Sequence, residues 1–161
     1  MPTLDEVYAK FGEAAEAAQL LELELGNSLI FAAVDLHGLA KIRSKSLGRK
    51  LIGEIDRKTL GQLLASLRKS APPPPELEAE LAVALSERNR LNHSFYRQHN
   101  FRRNSDEGRT IMMADLQVIH ERILGAYTSL MIFSGTDVRK NPIPFTPVTH
   151  LNLEVKGDGD A

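Results

Sequence analysis

The sequence predicts an all-α fold, a four-to-five-helix bundle with an irregular Pro-rich C-terminal tail. Three observations lead there. Apolar residues recur at spacings of three and four over long stretches, two Thr-x-x-Glu/Gln capping boxes mark helix starts, and the run Pro72 to Pro75 separates two periodic stretches. At 161 residues, 42% of them hydrophobic and 25% charged, the chain has the size and balance of one globular domain able to bury a single core.

Thr3-Leu-Asp-Glu6 is the first capping box, its hydroxyl and carboxylate placed to satisfy the first unpaired N–H groups of a helix. After it, Leu4, Val7, Phe11, Ala14, Ala18, Leu21, Leu25, Ala32 and Leu39 predict one long amphipathic helix ending near Gly38. Gly12 and Gly26 lie inside it, where glycine weakens a helix but permits close packing or a bend. Residues 40–58 are basic and weakly patterned, which predicts a loop with a short helix around Leu51. Thr59-Leu-Gly-Gln62 is the second box and opens a short helix with Leu60, Leu63, Leu64 and Leu67 on one side.

Ala71 to Pro75 stops that helix, because proline cannot continue it and restricts the residue before it. Neither flank is large enough to stand alone, so the prolines are a stiff connector rather than a domain boundary. A third helix is expected from Pro75 or Glu76 to about Asn100, with a seam of Leu77, Leu81, Ala84, Arg88, Leu91 and Phe95. Polar residues Asn104 to Gly108 break the pattern. A fourth helix is expected from about Thr110 to Phe133, with Met112, Leu116, Ile119, Ile123, Tyr127 and Leu130 inward. The division is therefore a helical bundle domain over residues 1–140 and a Pro-rich tail over 141–161, the tail holding at most one short extended segment and a frayed end.

Cysteine is absent, which removes disulfides, thiolate zinc sites, iron–sulfur clusters and cysteine nucleophiles together. No apolar stretch is long enough to cross a bilayer, and the N-terminus lacks the basic-then-apolar order of a secretory signal, so a cytoplasmic protein without membrane contact is expected. There is no Glu-x-x-His pair, Gly-x-Ser-x-Gly, P-loop or dinucleotide fingerprint, and Gly157-Asp-Gly-Asp160 lacks the other ligands of a calcium loop. No metal or cofactor is expected.

The net charge of −1 conceals an uneven distribution. The first 40 residues hold seven acids against Lys10, residues 41–69 hold nine basic side chains against Glu54 and Asp56, and residues 88–103 hold five arginines and no acid. Two readings follow, a local face for an anionic ligand or pairing with the acidic first helix.

The third helix carries the chemistry. A guanidinium at Arg88, in an otherwise apolar seam, must meet a carboxylate, carbonyls or a bound anion. Asn92 follows Arg88 by four residues and His93 follows Asn89 by four, so Arg88, Asn89, Asn92 and His93 form one polar break. Arg88 and His93 lie about 140° apart by helical geometry, flanking one edge without stacking. Phe95 and Tyr96 come directly after.

Glu87-Arg-Asn-Arg-Leu-Asn-His93, followed by Ser94-Phe-Tyr96, resembles the Arg-x(4–6)-His signature of HEPN-domain proteins, in which the residue after the arginine is usually polar, here Asn89. The resemblance is specific over residues 87–96 and loose over the surrounding helices. It implies a HEPN-type bundle and a metal-independent endoribonuclease of toxin–antitoxin or phage-defence systems. It also implies a homodimer whose two signatures meet in one composite cleft, and a cognate inhibitor protein. Arg88, His93 and Asn89 would then be catalytic, while Arg90, Asn92, Tyr96, Arg97, Arg102 and Arg103 would contact RNA. One departure is that some toxin members carry a tyrosine two residues after the histidine. That position is Phe95 here, with Tyr96 one place late.

The implied chemistry is physically coherent. A 2′-hydroxyl attacking the adjacent phosphodiester needs a proton acceptor, which histidine supplies near neutral pH. The phosphorane-like transition state gathers negative charge that a forked guanidinium stabilises. The alternative is that Arg88 pairs with Glu22 near the seam of the first helix, leaving His93 a surface residue and the chain a non-catalytic module that binds protein or RNA. Plain DNA binding lacks a helix-turn-helix pattern. His120, beside Leu116 and Ile123, reads as a hydrogen-bonded core histidine. His99, among Arg97, Phe101, Arg102 and Arg103, reads either as part of a stretch that tracks a phosphate backbone or as a solvated helix end.

Overall fold

In the computed structural model, the described residues are 1–37, 50, 53–55 and 57–135. They are all-α: α1 (Leu4–His37), α2 (Leu60–Ser70), α3 (Pro75–His93), α4 (Phe95–His99), a 3-10 helix (Asn100–Asn104) and α5 (Asp106–Ser134), with no strand among the described residues. The backbone at residues 50 and 53–55 is also helical. Most of the expected loop of residues 40–58, and the whole expected tail of residues 141–161, lie outside the described residues.

Both capping boxes form. The Thr3 N–H donates to Glu6 Oε2 at 2.7 Å while the Glu6 N–H donates to Thr3 Oγ1 at 3.2 Å. The Thr59 N–H donates to Gln62 Oε1 at 2.9 Å and the Gln62 N–H to Thr59 Oγ1 at 3.4 Å. Proline acts at the next boundary as expected. Ala71 closes α2 through its N–H on the Leu67 carbonyl, and Pro75 occupies the first turn of α3, where a missing N–H costs nothing.

The long helices α1 and α5 pack along each other, α3 packs on α5, and α2 packs on α1. The core between them holds Val7, Ala14, Ala18, Leu21 and Leu25 from α1, Leu77, Leu81, Ala84 and Leu91 from α3, and Met112, Leu116, Ile119, Ile123 and Leu130 from α5. Each of the larger side chains contributes about 2 kcal/mol by leaving water. Leu60, Leu63, Leu64 and Leu67 of α2 join the same cluster. Gly26 lets α1 take a close neighbour, since a Cβ there would lie 3.1 Å from Ile55 Cγ2.

Three details depart from the expectation. The third helix does not run to Asn100: it ends at His93, Ser94 leaves helical geometry, and the chain restarts as α4 before tightening into the 3-10 helix. The restart allows Phe95 to remain buried. The fourth long helix, α5, starts at Asp106 rather than near Thr110, because the polar run is its cap. Ser105 accepts the Gly108 N–H at 3.1 Å, and Asp106 and Glu107 sit in the first turn, where the helix dipole favours acids. Gly108 is needed there, since a Cβ would stand 2.1 Å from the Arg102 carbonyl oxygen where the 3-10 helix presses on α5. Last, the buried charge of α3 is Glu87 and not Arg88. Glu87 lies to one side of the arc set by Leu77, Leu81, Ala84 and Leu91 and is buried against Arg90 and Arg122, while Arg88, within that arc, is half-buried and faces Glu22 of α1.

Candidate functional site

The charged residues of α3 divide between two directions. Glu87, 7% exposed, turns inward and accepts from Arg90 Nε at 2.8 Å and from the guanidinium of Arg122 on α5. Arg90 reaches the other way along α5 and grips Asp115 with two hydrogen bonds, of 2.7 and 2.8 Å. A further bond of 3.3 Å runs from Arg90 to Gln98 Oε1. Asp115 also meets His99 Nε2 at 2.7 Å, and Arg102 lies 3.2 Å from His99 Nδ1. A guanidinium only donates, so in this arrangement Nδ1 accepts from Arg102 and Nε2 donates to Asp115.

The result is a continuous chain of partners, Arg122, Glu87, Arg90, Asp115, His99 and Arg102, which ties α3, α4, the 3-10 helix and α5 together. The hydrogen bonds from Arg90 hold the Asp115 carboxyl below the usual carboxylate range; burial opposes this and His99 adds to it. Asp115 in turn raises the pKa of Arg90 against the opposing effect of burial.

This network bears on two expectations. Arg90, expected to contact RNA, is engaged by Asp115, Glu87 and Gln98. His99 is neither a backbone-tracking surface residue nor a solvated helix end: it is 4% exposed, its ring centroid 4.4 Å from that of Phe95. Sequence reasoning missed Asp115, Glu87, Gln98 and Arg122 as site-forming groups. A signal existed for two of them, the three-residue spacing of Glu87 and Arg90 and the position of Asp115 beside seam residue Leu116.

Of the remaining signature residues, Arg88 is half-buried against α1 while Asn89, Asn92 and His93 face outward. Arg88 donates from one terminal nitrogen to Asn89 Oδ1 at 3.2 Å, and its other terminal nitrogen lies 3.7 Å from Glu22 Oε2. The structure therefore contains the Arg88–Glu22 pair, but at a separation longer than a hydrogen bond. Asn89, Asn92 and His93 are exposed, and the side chains of Asn92 and His93 make no hydrogen bond among the described residues. Arg88 and Asn89 are brought together, whereas His93 is not brought to them within the chain. Glu22 also lines a groove of about 480 Å³ along α1 and α2, shared with Asn27, Lys58 and Leu63.

Beyond Ser94 the expected contacts separate. Arg97 and Arg103 are exposed with no carboxylate partner among the described residues, while the exposed Arg102 is engaged by His99. Tyr96 is 40% exposed and rests edge-on against Phe95 at 5.3 Å and tilted against Phe11 at 5.4 Å. Burial pushes its phenol pKa up, Tyr8 adds to this, and Arg103 opposes it. His120 is half-buried and satisfied, its Nδ1 3.3 Å from Lys10 Nζ.

Among the described residues, no three imidazole or carboxylate side chains converge as metal ligands, and no helix is long and apolar enough to cross a membrane. Compared with protein-family models, curated proteins and solved structures, the chain matches none of them.

Proposed function

We propose that this chain is a HEPN-type metal-independent endoribonuclease that cleaves RNA by 2′-hydroxyl attack. In this reading His93 takes the 2′-hydroxyl proton, Arg88 stabilises the charge gathering on the phosphorane oxygens, and Asn89 orients the Arg88 guanidinium. Asn92, Tyr96, Arg97 and Arg103 contact RNA around that centre. The observation that carries the reading is the division of α3: Glu87 and Arg90 are tied up inward, Asn89, Asn92 and His93 stay outward with the His93 and Asn92 side chains unbonded, and the half-buried Arg88 is only loosely held.

The reading requires a second copy. Arg88 leans towards α1 and His93 points outward about 140° away by helical geometry, so one chain does not offer both to one phosphate. Exposed aliphatic residues along one side of α5, Ile111, Val118 and Ile132, spaced by seven and fourteen residues with Gly125 between the last two, support a homodimer. The biological side of the proposal is a cytoplasmic toxin or phage-defence effector restrained by a cognate inhibitor protein.

A second reading, a non-catalytic module of the same kind that binds a protein or RNA partner, is favoured by one observation, the Arg88–Glu22 pair. The deciding experiment is incubation of a mixed single-stranded RNA with the protein in EDTA, beside Arg88→Ala and His93→Ala. Nuclease action gives 2′,3′-cyclic phosphate ends with the wild type and none with either variant. A folded wild type that cuts nothing, or a His93→Ala protein that cuts at the wild-type rate, overturns the assignment.

A further inference from the structure

The end of the molecule built from the start of α1, α4 and the 3-10 helix leaves its aromatic side chains uncovered. Phe101 is 75% exposed, Tyr8 46% and Tyr96 40%. A ring left in water forgoes the stabilisation that burial would give it, so three at one end are more informative than one. They are also held in place. Tyr96 has its inner side against Phe11 and Phe95, and Tyr8 precedes Phe11 by one helical turn. Phe101 rides on a 3-10 helix clamped at both sides, by the Arg102–His99 contact and by the close approach of its backbone to Gly108.

The α4 and 3-10 segments that carry Tyr96 and Phe101 are basic, although Asp5 and Glu107 at the same end are also exposed and without an ion pair among the described residues. Arg97 and Arg103 have no carboxylate partner among the described residues, and residues 88–103 contain no acid. Two acids of the same end are already engaged, Glu6 with Thr3 and Asp106 with Arg109. Uncovered aromatic faces beside free guanidinium groups match a ligand with flat π-faces strung on a polyanion. An apolar protein partner would instead desolvate both arginines without pairing them.

We infer that Tyr8, Tyr96 and Phe101 form a stacking platform for the unpaired bases of single-stranded RNA, with Arg97 and Arg103 taking the adjoining phosphates. The platform rests on the reading of the chain as RNA-acting, but it does not need the Arg88 and His93 chemistry. It selects unpaired strands, because a duplex keeps its base faces stacked on one another.

The test measures binding of a short labelled oligouridylate to the His93→Ala protein, with a duplex RNA of the same length as comparison. Adding Phe101→Ala or Tyr96→Ala is expected to weaken single-strand binding about tenfold each, and Arg103→Ala to weaken it in a salt-dependent way. Because Tyr96 also touches the core, Phe101→Ala, at an exposed position, remains the decisive variant should Tyr96→Ala fail to fold. The chain has no tryptophan, so Phe101→Trp adds a single reporter whose emission should be quenched by the oligouridylate but not by the duplex.

Unchanged affinity in Phe101→Ala, equal affinity for duplex, an unquenched Phe101→Trp, or no single-strand binding by the His93→Ala parent each overturns the platform. Binding without cleavage by the wild type overturns the nuclease reading alone. Cleavage and binding that are insensitive to Phe101 overturn the platform alone.

Discussion

Arg88 has two competing partners, the carboxylate of Glu22 and, in the proposed reaction, a phosphate. Its side chain is 20% exposed and that of Glu22 32%, and they stand 3.7 Å apart. A pair this open to water contributes at most about 1 kcal/mol. Glu22→Gln should therefore shift the urea unfolding free energy by less than about 1 kcal/mol. Releasing the guanidinium from a nearby negative charge should strengthen RNA binding and raise cleavage several-fold at sub-saturating RNA. A marked loss of stability with no gain in binding would instead identify the pair as structural and favour the non-catalytic module. The same substitution thus separates the two readings, because it leaves every residue of the signature in place.

The network centred on Asp115 belongs to the scale of the elements, since it joins α3, α4 and the 3-10 helix to α5. Asp115 accepts two bonds from Arg90 and one from His99, so Asp115→Asn leaves those donors poorly matched and should cost about 2 to 3 kcal/mol. The pH dependence has a definite sign. The folded-state pKa of Asp115 is depressed, so its contribution is fully present above the unfolded value of about 4 and is lost as pH falls through the lower folded value. The stability gap between wild type and Asp115→Asn should accordingly be constant from neutral pH down to about 4 and narrow below it. A gap that stays constant into strong acid would show that the charge of Asp115 does not stabilise the fold.

The sequence made the helix seams readable here and the polar pairings unreadable. Leu116, Ile119 and Ile123 declare the inward face of α5 through local spacing, and Thr59 with Gln62 declares a helix start within four residues. The join of Arg90 to Asp115, by contrast, spans twenty-five residues and depends on which edge of α3 is turned to α5. Asn104 to Gly108 misled for a related reason: polarity is shared by loops and caps, and only the backbone path distinguishes them. Of the candidate site, the outward set Asn89, Asn92 and His93 was legible from i, i+4 spacing, whereas the inward turn of Arg90 was not.

At the scale of the whole molecule the question is whether one chain holds a complete site. The polar edge of α3 places Arg88 on the side of α1 and His93 on the open side, and no contact links them within the chain. In the proposed composite cleft, a phosphate held by both is approached from two chains related by a two-fold axis, each signature facing its own copy. Complementation tests this directly. Arg88→Ala and His93→Ala homodimers are each expected to be inactive, but after subunit exchange of an equal mixture about half of the dimers pair one variant with the other. Each such heterodimer keeps one intact Arg88 and one intact His93 on opposite chains, so a composite cleft regains a measurable part of wild-type cleavage. A mixture that stays inactive although native mass spectrometry shows the mixed dimer would place the whole site within one chain. Val118→Lys, on the exposed stripe of α5, is the companion measurement: with unchanged helical content it should yield a monomer that binds oligouridylate at its aromatic end yet no longer cleaves it. A monomer that cleaves as fast as the wild type would refute the composite cleft while leaving the chemistry of His93 intact.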